Sequence, residues 1–368
     1  MRRIAPHRLR CVSFKDKVDF LRQPRNYRDR PSNVAVIETH FAWVFLTRRH
    51  AYKLKKPLRR PGMNYRTLAA RARVCREELR LNRRLAPSVY QSVERLSVNR
   101  SGALQWGSGV RIEDYVIKMR RLPVTSMLSV ALTTGRCLPR DLDRVIARLV
   151  DFYGHAASQG IREHAYRDRL SAEVRRNRDA LRTLGRRLEQ PLVRAACDAQ
   201  ERFIKLHAAA LGARGAHVVE GHGDLRAEHV CLEPDVCVID CLEFSRDLRL
   251  LDPAHDLAAL ALDSARLGRQ RLALELLQRY RQASGDAIAD GLLLFYLGLC
   301  AATRAKIAAW HVGDRQFPNA RPWLRRTNSY LRDAVRYTRL ALKAIASPAR
   351  VASGRVDSRA AIPSTDAR

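Results

Sequence analysis

The chain has 368 residues, and 69 Lys and Arg stand against 37 Asp and Glu, a formal net charge of +32. That length holds two or three lobes with buried cores, and no run approaches the ~18 apolar residues of a membrane span. Only nine of the basic residues are lysines and the arginines run from Arg2 to Arg368, which argues for a whole-chain trend with weak, salt-sensitive adhesion to polyanions, and against a dedicated nucleic-acid module.

The opening "MRRIAPHRLRCVSF" is basic without the apolar core of a secretory signal, so a cytoplasmic protein is expected. Residues 1–30 read as a basic extension with about one helical turn. "NVAVIETHFAWVFLTRRHAYKLKKPL" alternates short apolar runs with polar breaks, giving about three strands of a meander. From Thr67 to Leu85, apolar residues recur at three- and four-residue intervals, an amphipathic helix. Strand-like text returns in "YQSVERLSVN" and "ALQWGSGVRIEDYVIKMRRLP". After Pro123 helical periodicity dominates, from Leu138 to about Ala210 and from Pro253 to about Ala346. A short β island lies between, with Val230–Leu232 and Val236–Ile239 around the turn "EPD". The tail 347–368 is poor in large apolar residues and is expected to be disordered. The fold class is α+β: a β-rich lobe with one helix over 31–122, then a larger helical lobe over 123–346.

Eight cysteines in such a chain read as buried thiols rather than a disulfide frame. Cys231, Cys237 and Cys241 lie near His222 and His229, but lack the C-x-x-C spacing of a zinc site.

Four separated pieces carry chemistry. In "AYKLKKP", strand alternation puts Ala51, Lys53 and Lys55 on one face. A lysine there can meet phosphates, with Lys53 first and Lys55 in reserve; a basic edge strand is the plain alternative. In the following helix Glu78 shares a face with Leu81 and Leu85, so it can pair with that lysine. "HGDLRAEH" offers Asp224 as a general base for a hydroxyl, or as a turn aspartate bonding its own backbone. It has the form H-x-D-x-x-x-x-N of a kinase-type catalytic loop, with His229 at the asparagine position. "VCVIDCLEF" ends an apolar strand in Asp240, with Glu243 three residues on. Together with His229 these are the candidate ligands of a magnesium ion.

"HGDLRAEHVCL", "VIDCLEF" and "LLDPAHDLAAL", with "VIETHFAWVFLTRRHAYKLKKP" and "CREELRLNRRLAPSVY" before them, resemble the aminoglycoside phosphotransferase-like enzymes of the protein-kinase-like superfamily. The resemblance runs from about Val18 to Leu342. It is to a bacterial branch sometimes fused to a P-loop ATPase-type domain; no G-x-x-x-x-G-K-[ST] occurs here, so that domain is expected to be absent. The resemblance implies a two-lobe kinase-like fold, Asp224 as catalytic base, Asp240 as the magnesium aspartate, and the hinge around Met119 and Arg120 as the backbone that meets adenine. Arg226 is then placed to reach the transferring phosphate or to remain solvated, and Asp256 to be structural.

The sequence departs from the pattern at His229 and in "ETHFAWVF", a nucleotide-covering turn without glycine, which leaves Thr39, His40 and backbone amides to contact phosphate. The expected activity is ATP- and Mg2+-dependent transfer of phosphate to a hydroxyl of a small molecule. The alternatives are a catalytically weak nucleotide-binding module, in which His229 marks a degraded metal site, and a basic nucleic-acid-binding protein. The basic mean field favours a neutral or anionic acceptor over a polycationic one.

Overall fold

The computed structural model describes residues 11–60, 62–312 and 319–346; the expected tail and the first ten residues lie outside them. Helix α1 (Phe14–Arg22) starts at Ser13, whose hydroxyl accepts from the Asp16 amide while the Asp16 carboxylate accepts from the Ser13 amide. This reciprocal cap satisfies two amides that a helix start leaves without partners. It makes the segment nine helical residues long, where the sequence led us to expect about one turn of an extension.

A six-stranded antiparallel sheet follows, built from β1 (Ala35–Glu38), β2 (Ala42–Leu46), β3 (His50–Lys55), β6 (Tyr90–Val98), β7 (Leu104–Trp106) and β8 (Arg111–Arg120), in the order β1-β2-β3-β8-β6-β7. Between β3 and β6 come a small hairpin, β4 (Arg59–Arg60) with β5 (Met63–Asn64), and helix α2 (Leu68–Asn82). Alternation in the central strands separates two cores. Phe45, Tyr52, Leu54 and Val116 pack with Val18 and Leu21 of α1. Ala51, Ile117 and Met119 pack with Cys75 of α2 and with Tyr90. Both faces of the sheet are apolar, so α1 is needed as a cover; fully burying Leu21 is worth about 1.5–3 kcal/mol.

After the sheet come α3 (Leu128–Thr133), α4 (Pro139–Gly154), α5 (Glu163–Arg182), α6 (Gln190–Leu206) and α7 (Ala208–Ala213). Two short antiparallel pairs then frame a loop region. Strand β9 (Val219–Glu220) pairs with β12 (Leu250–Leu251), and β10 (Val230–Cys231) pairs with β11 (Cys237–Val238); α8 (Arg246–Arg249) precedes β12. Helices α9 (Pro253–Arg266), α10 (Gln270–Ser284), α11 (Asp290–Ala309) and α12 (Ala320–Ala346) complete the described residues. The architecture is mixed α+β, a β-sheet region followed by a helical part.

Two compact units emerge. One joins residues up to 166 with 212–287, and the other joins 167–211 with the residues from 288 onward. The change of character at Pro123 is therefore a change of secondary structure within the first unit. In the second unit α11 runs along α12 and meets α6. A Cβ at Gly298 would collide with Thr338, so glycine is what lets α11 and α12 approach. The segment Asp290–Trp310 is long and apolar enough to cross a membrane, the one such helix among the described residues, and 72% of its apolar stretch is buried inside the protein. The sequence reading passed over it because its apolar run is interrupted by polar and small residues. Its burial against α6 and α12 accounts for its hydropathy.

Candidate functional site

The site is assembled within the first unit by β3, α2 and the loops around β9–β12. Lys53 and Lys55 sit two apart on β3 and point to one side. Lys53 Nζ donates to Glu78 Oε1 at 2.8 Å and to Asp240 Oδ1 at 2.5 Å. Lys55 pairs with the other oxygen of Glu78 and with Glu243 Oε1 at 2.6 Å. Glu78 is fully buried, so its charge is sustainable only with cations in contact. Burial would lower the Lys53 ammonium, but Asp240 and Glu78 outweigh it and hold its pKa well above the usual lysine value.

The two lysines differ in what lies beyond Glu78. Lys53 reaches Asp240, whose side chain is 43% exposed, whereas Lys55 reaches Glu243, at 10%. Asp240 also has φ +63°, the left-handed region that non-glycine residues seldom occupy. Strain of this kind concentrates at functional positions. The protein atoms crowding the Asp240 carboxyl push its pKa up, but Lys53, then His229, dominate and hold it well below the usual carboxylate range.

The segment 219–229 is held from beneath by α9. Asp252 caps this helix, and Arg214 grips the Asp252 carboxylate with two nitrogens at 2.6 and 2.8 Å. One turn on, Asp256 accepts from the amides of His222 at 2.7 Å and Gly223 at 3.2 Å, and from the Tyr153 hydroxyl at 3.0 Å. Gly223 has φ +82°, with side chains of Arg249 and Leu242 against its Cα, so the turn into Asp224 suits glycine alone. His222 is buried, with Nε2 on the Ile239 carbonyl at 3.0 Å and Nδ1 facing the Asp224 amide at 3.3 Å. That pattern assigns the proton to Nε2. Burial lowers the His222 pKa, with Asp256 opposing less strongly, so the ring is held neutral.

His229 lies between the backbone of Asp224 and the carboxylate of Asp240. Its Nδ1 lies 2.8 Å from the Asp224 carbonyl oxygen, and its Nε2 lies 3.8 Å from Asp240 Oδ2. With Nδ1–H donating to the carbonyl, Nε2 is the ring nitrogen turned toward Asp240. Asp224 itself is half-buried, its backbone held at both ends by His222 and His229.

Residues 35–292 match the phosphotransferase enzyme family. The chain belongs to that family. An uncharacterised protein of Mycobacterium tuberculosis (strain H37Rv) and another of Mycobacterium bovis are each 31% identical over 281 residues, covering 74% of this chain and 54% of theirs. The chain thus spans about half the length of these curated relatives. Among solved structures, the GDP complex of an aminoglycoside 2'-phosphotransferase aligns at 12% identity and TM-score 0.54, over 88% of this chain and 99% of that one. A choline kinase from Cryptosporidium parvum aligns at 9% identity and TM-score 0.53, over 89% and 96%. At these identities the likeness is one of fold, the two-lobe kinase-like fold.

Within this phosphotransferase-family chain, several expected site residues are engaged elsewhere. Glu243, expected beside Asp240 as a metal ligand, is bound by Lys55 and by the Tyr65 hydroxyl at 2.9 Å. The reason is Lys55, whose buried ammonium demands a second carboxylate. Among the described residues no three His, Cys, Asp or Glu side chains converge as a metal-holding group. Thr39 Oγ1 donates to the Ala42 carbonyl and accepts from its amide, which closes the β1–β2 turn and takes the hydroxyl away from the phosphate role. Met119 lies in the core, and the Arg120 amide donates to Val89 O at 2.8 Å. Strand β8 is central and paired on both sides, so Arg120 has no amide to offer adenine. Arg226 is held by Glu228, with Asp263 Oδ1 4.0 Å away, and its side chain is only partly exposed. The cysteines at 231, 237 and 241 are free and buried.

Two residues escaped the sequence reading. Asn82 Oδ1 accepts from the Cys241 amide at 2.9 Å while its Nδ2 donates to the Glu78 carbonyl, so it ties α2 to the segment bearing Asp240. Its place four residues after Glu78, on the same helix face, was the available signal. Tyr90 accepts from the Asp240 amide at 3.2 Å; it comes from β6, and nothing local in the sequence points there.

Proposed function

We propose that the protein transfers the γ-phosphate of ATP, with magnesium, to a hydroxyl group of a small molecule. The reading rests on one constellation. A lysine clamped by a buried glutamate stands beside an exposed, strained aspartate, and a histidine joins that aspartate to the backbone of Asp224. The donor set fits magnesium in a particular way. One carboxylate and one imidazole nitrogen cannot cage a hard cation, but they suit an ion that keeps waters and substrate phosphates as ligands. Asp240 would hold the ion, with His229 Nε2 as the second protein donor. A bound magnesium ion supplies positive charge against that developing on the transferring phosphate. Lys53, kept protonated by its two carboxylates, would neutralise nucleotide phosphates. Asp224 would orient the acceptor hydroxyl and take its proton, and its fixed backbone keeps that carboxylate in register with Asp240.

The acceptor is expected to be neutral or anionic, because 69 basic residues against 37 acidic ones repel a polycation. The reading is tested by calorimetric titration of ATP with and without magnesium. Magnesium should tighten ATP binding to the wild type and have no such effect on Asp240→Ala. An undiminished magnesium effect in the variant, or no ATP binding by the wild type, would overturn it.

A further inference from the structure

A cavity of about 1060 Å3 lies between the β4–β5 hairpin and the outer face of α2, lined in part by Arg59, Arg60, Arg73, Arg76 and Arg80. None of Lys53, Asp224, His229 or Asp240 borders it. On α2, positions 73, 76 and 80 share one face of the helix, opposite to the face that carries Glu78. The hairpin carries Arg59 and Arg60 on its first strand.

The acids in the wall are already committed. Glu77 accepts from Arg80 at 2.7 and 2.9 Å and lies 3.3 Å from buried Arg249, while Glu243 is taken by Lys55 and Tyr65. The side chains of Arg59 and Arg73 have no ion pair or hydrogen bond among the described residues, and Arg76 stacks over the Tyr115 ring at 5.4 Å. The Arg59 and Arg73 guanidinium groups, which face no carboxylate among the described residues, therefore leave a positive potential focused in the concavity. Their planar forks match phosphate oxygens two at a time. The floor is apolar, with Met63, Val74 and Phe244. The volume slightly exceeds the ~300–1,000 Å3 usual for small-molecule sites, so there is room for a molecular body as well as its charges.

We propose that this cavity is a second ligand site, separate from the phosphotransfer constellation, which takes a small molecule bearing two or more phosphate groups. Glu243 connects the two, since it lines the cavity and holds Lys55, the neighbour of Lys53 on Glu78.

The test uses inorganic pyrophosphate as the probe, without nucleotide or magnesium, in calorimetric titrations of three full-length proteins. They are the wild type, Arg73→Glu combined with Arg76→Glu, and Lys53→Ala. Arg73 and Arg76 are exposed, so circular dichroism should show an unchanged fold. Pyrophosphate should bind the wild type and Lys53→Ala alike, and lose at least about tenfold in affinity in the arginine variant, the loss of one bidentate charge pair. The arginine variant should still bind MgATP. No binding to the wild type, equal binding to the arginine variant, or a loss confined to Lys53→Ala would each overturn the site. A short single-stranded DNA that bound more tightly than pyrophosphate, and lost its binding in the arginine variant, would overturn the small-molecule assignment. Should MgATP bind none of the three while the pyrophosphate pattern holds, the nucleotide reading fails and this site stands.

Discussion

Two charge clusters tie helices to the sheet, and they differ in one respect that matters. In the first, Asp114 of β8 accepts from Lys17 of α1 at 2.8 Å and from Arg71 of α2 at 2.7 Å, and all three are buried. In the second, Glu78 of α2 is gripped by Lys53 and Lys55 of β3, but one arm ends on Asp240, exposed and in a left-handed conformation. The first cluster is closed: its carboxylate has two cations, and Arg71 also donates to the carbonyls of Tyr65 and Arg66. The second is open at Asp240, which water and ligands can reach. Ion pairing alone thus does not distinguish a closed cluster from an open one. Exposure and backbone strain do.

The contrast can be broken most sharply at Asp224, next to the open cluster. With a substrate in hand, Asp224→Ala should lower the turnover number by ~10²–10⁴, with ATP affinity and denaturation midpoint unchanged. Wild-type turnover in this variant would remove Asp224 from the mechanism. The closed cluster should behave in the opposite way. Asp114→Ala leaves Lys17 and Arg71 buried without their carboxylate, and should lower stability by about 3–5 kcal/mol in urea unfolding. A loss under ~1 kcal/mol, within the range of surface pairs, would mean that the cluster is not closed.

Within the open cluster, Lys53→Ala and Glu78→Ala should each weaken ATP binding, and the double variant should lose less than their sum, by about 0.5–3 kcal/mol of coupling. Additive losses would show that the pair does not act as a unit, and would move the phosphate role to Lys55. The smallest effect belongs to His222. Its pKa is lowered by burial in the folded state, so the unfolded chain binds the proton more readily. Stability should then be full above the unfolded histidine value of about 6.5 and fall as pH drops below it, by at most about 1.4 kcal/mol per pH unit. His50 and His207 are also lowered by burial and act in the same sense. The comparison of wild type with His222→Gln in urea titrations from pH 7.5 to about 5 isolates the one ring. Parallel pH profiles would show that His222 is not held neutral.

Much of this protein was determined locally and could be read without a structure. Alternation in β3 placed Lys53 and Lys55 on one face, helical spacing turned Glu78 inward, and the order of lysine, glutamate, catalytic loop and strand-end aspartate identified the fold. Such patterns are legible because strand and helix periods convert sequence spacing directly into direction. Tertiary structure decided which of the candidate groups remain open. Glu243 was drawn to distant Lys55 and the Arg120 amide to Val89, whereas Thr39 and Arg226 were taken by neighbours within their own turns. In the other direction, Asn82 and Tyr90 became supports of the site through contacts that span 159 and 150 positions. A charged or polar side chain commits to whichever partner burial brings near, because leaving it unpaired in a dry interior costs more than any local preference supplies. That choice depends on contacts between distant segments, which only the folded chain makes.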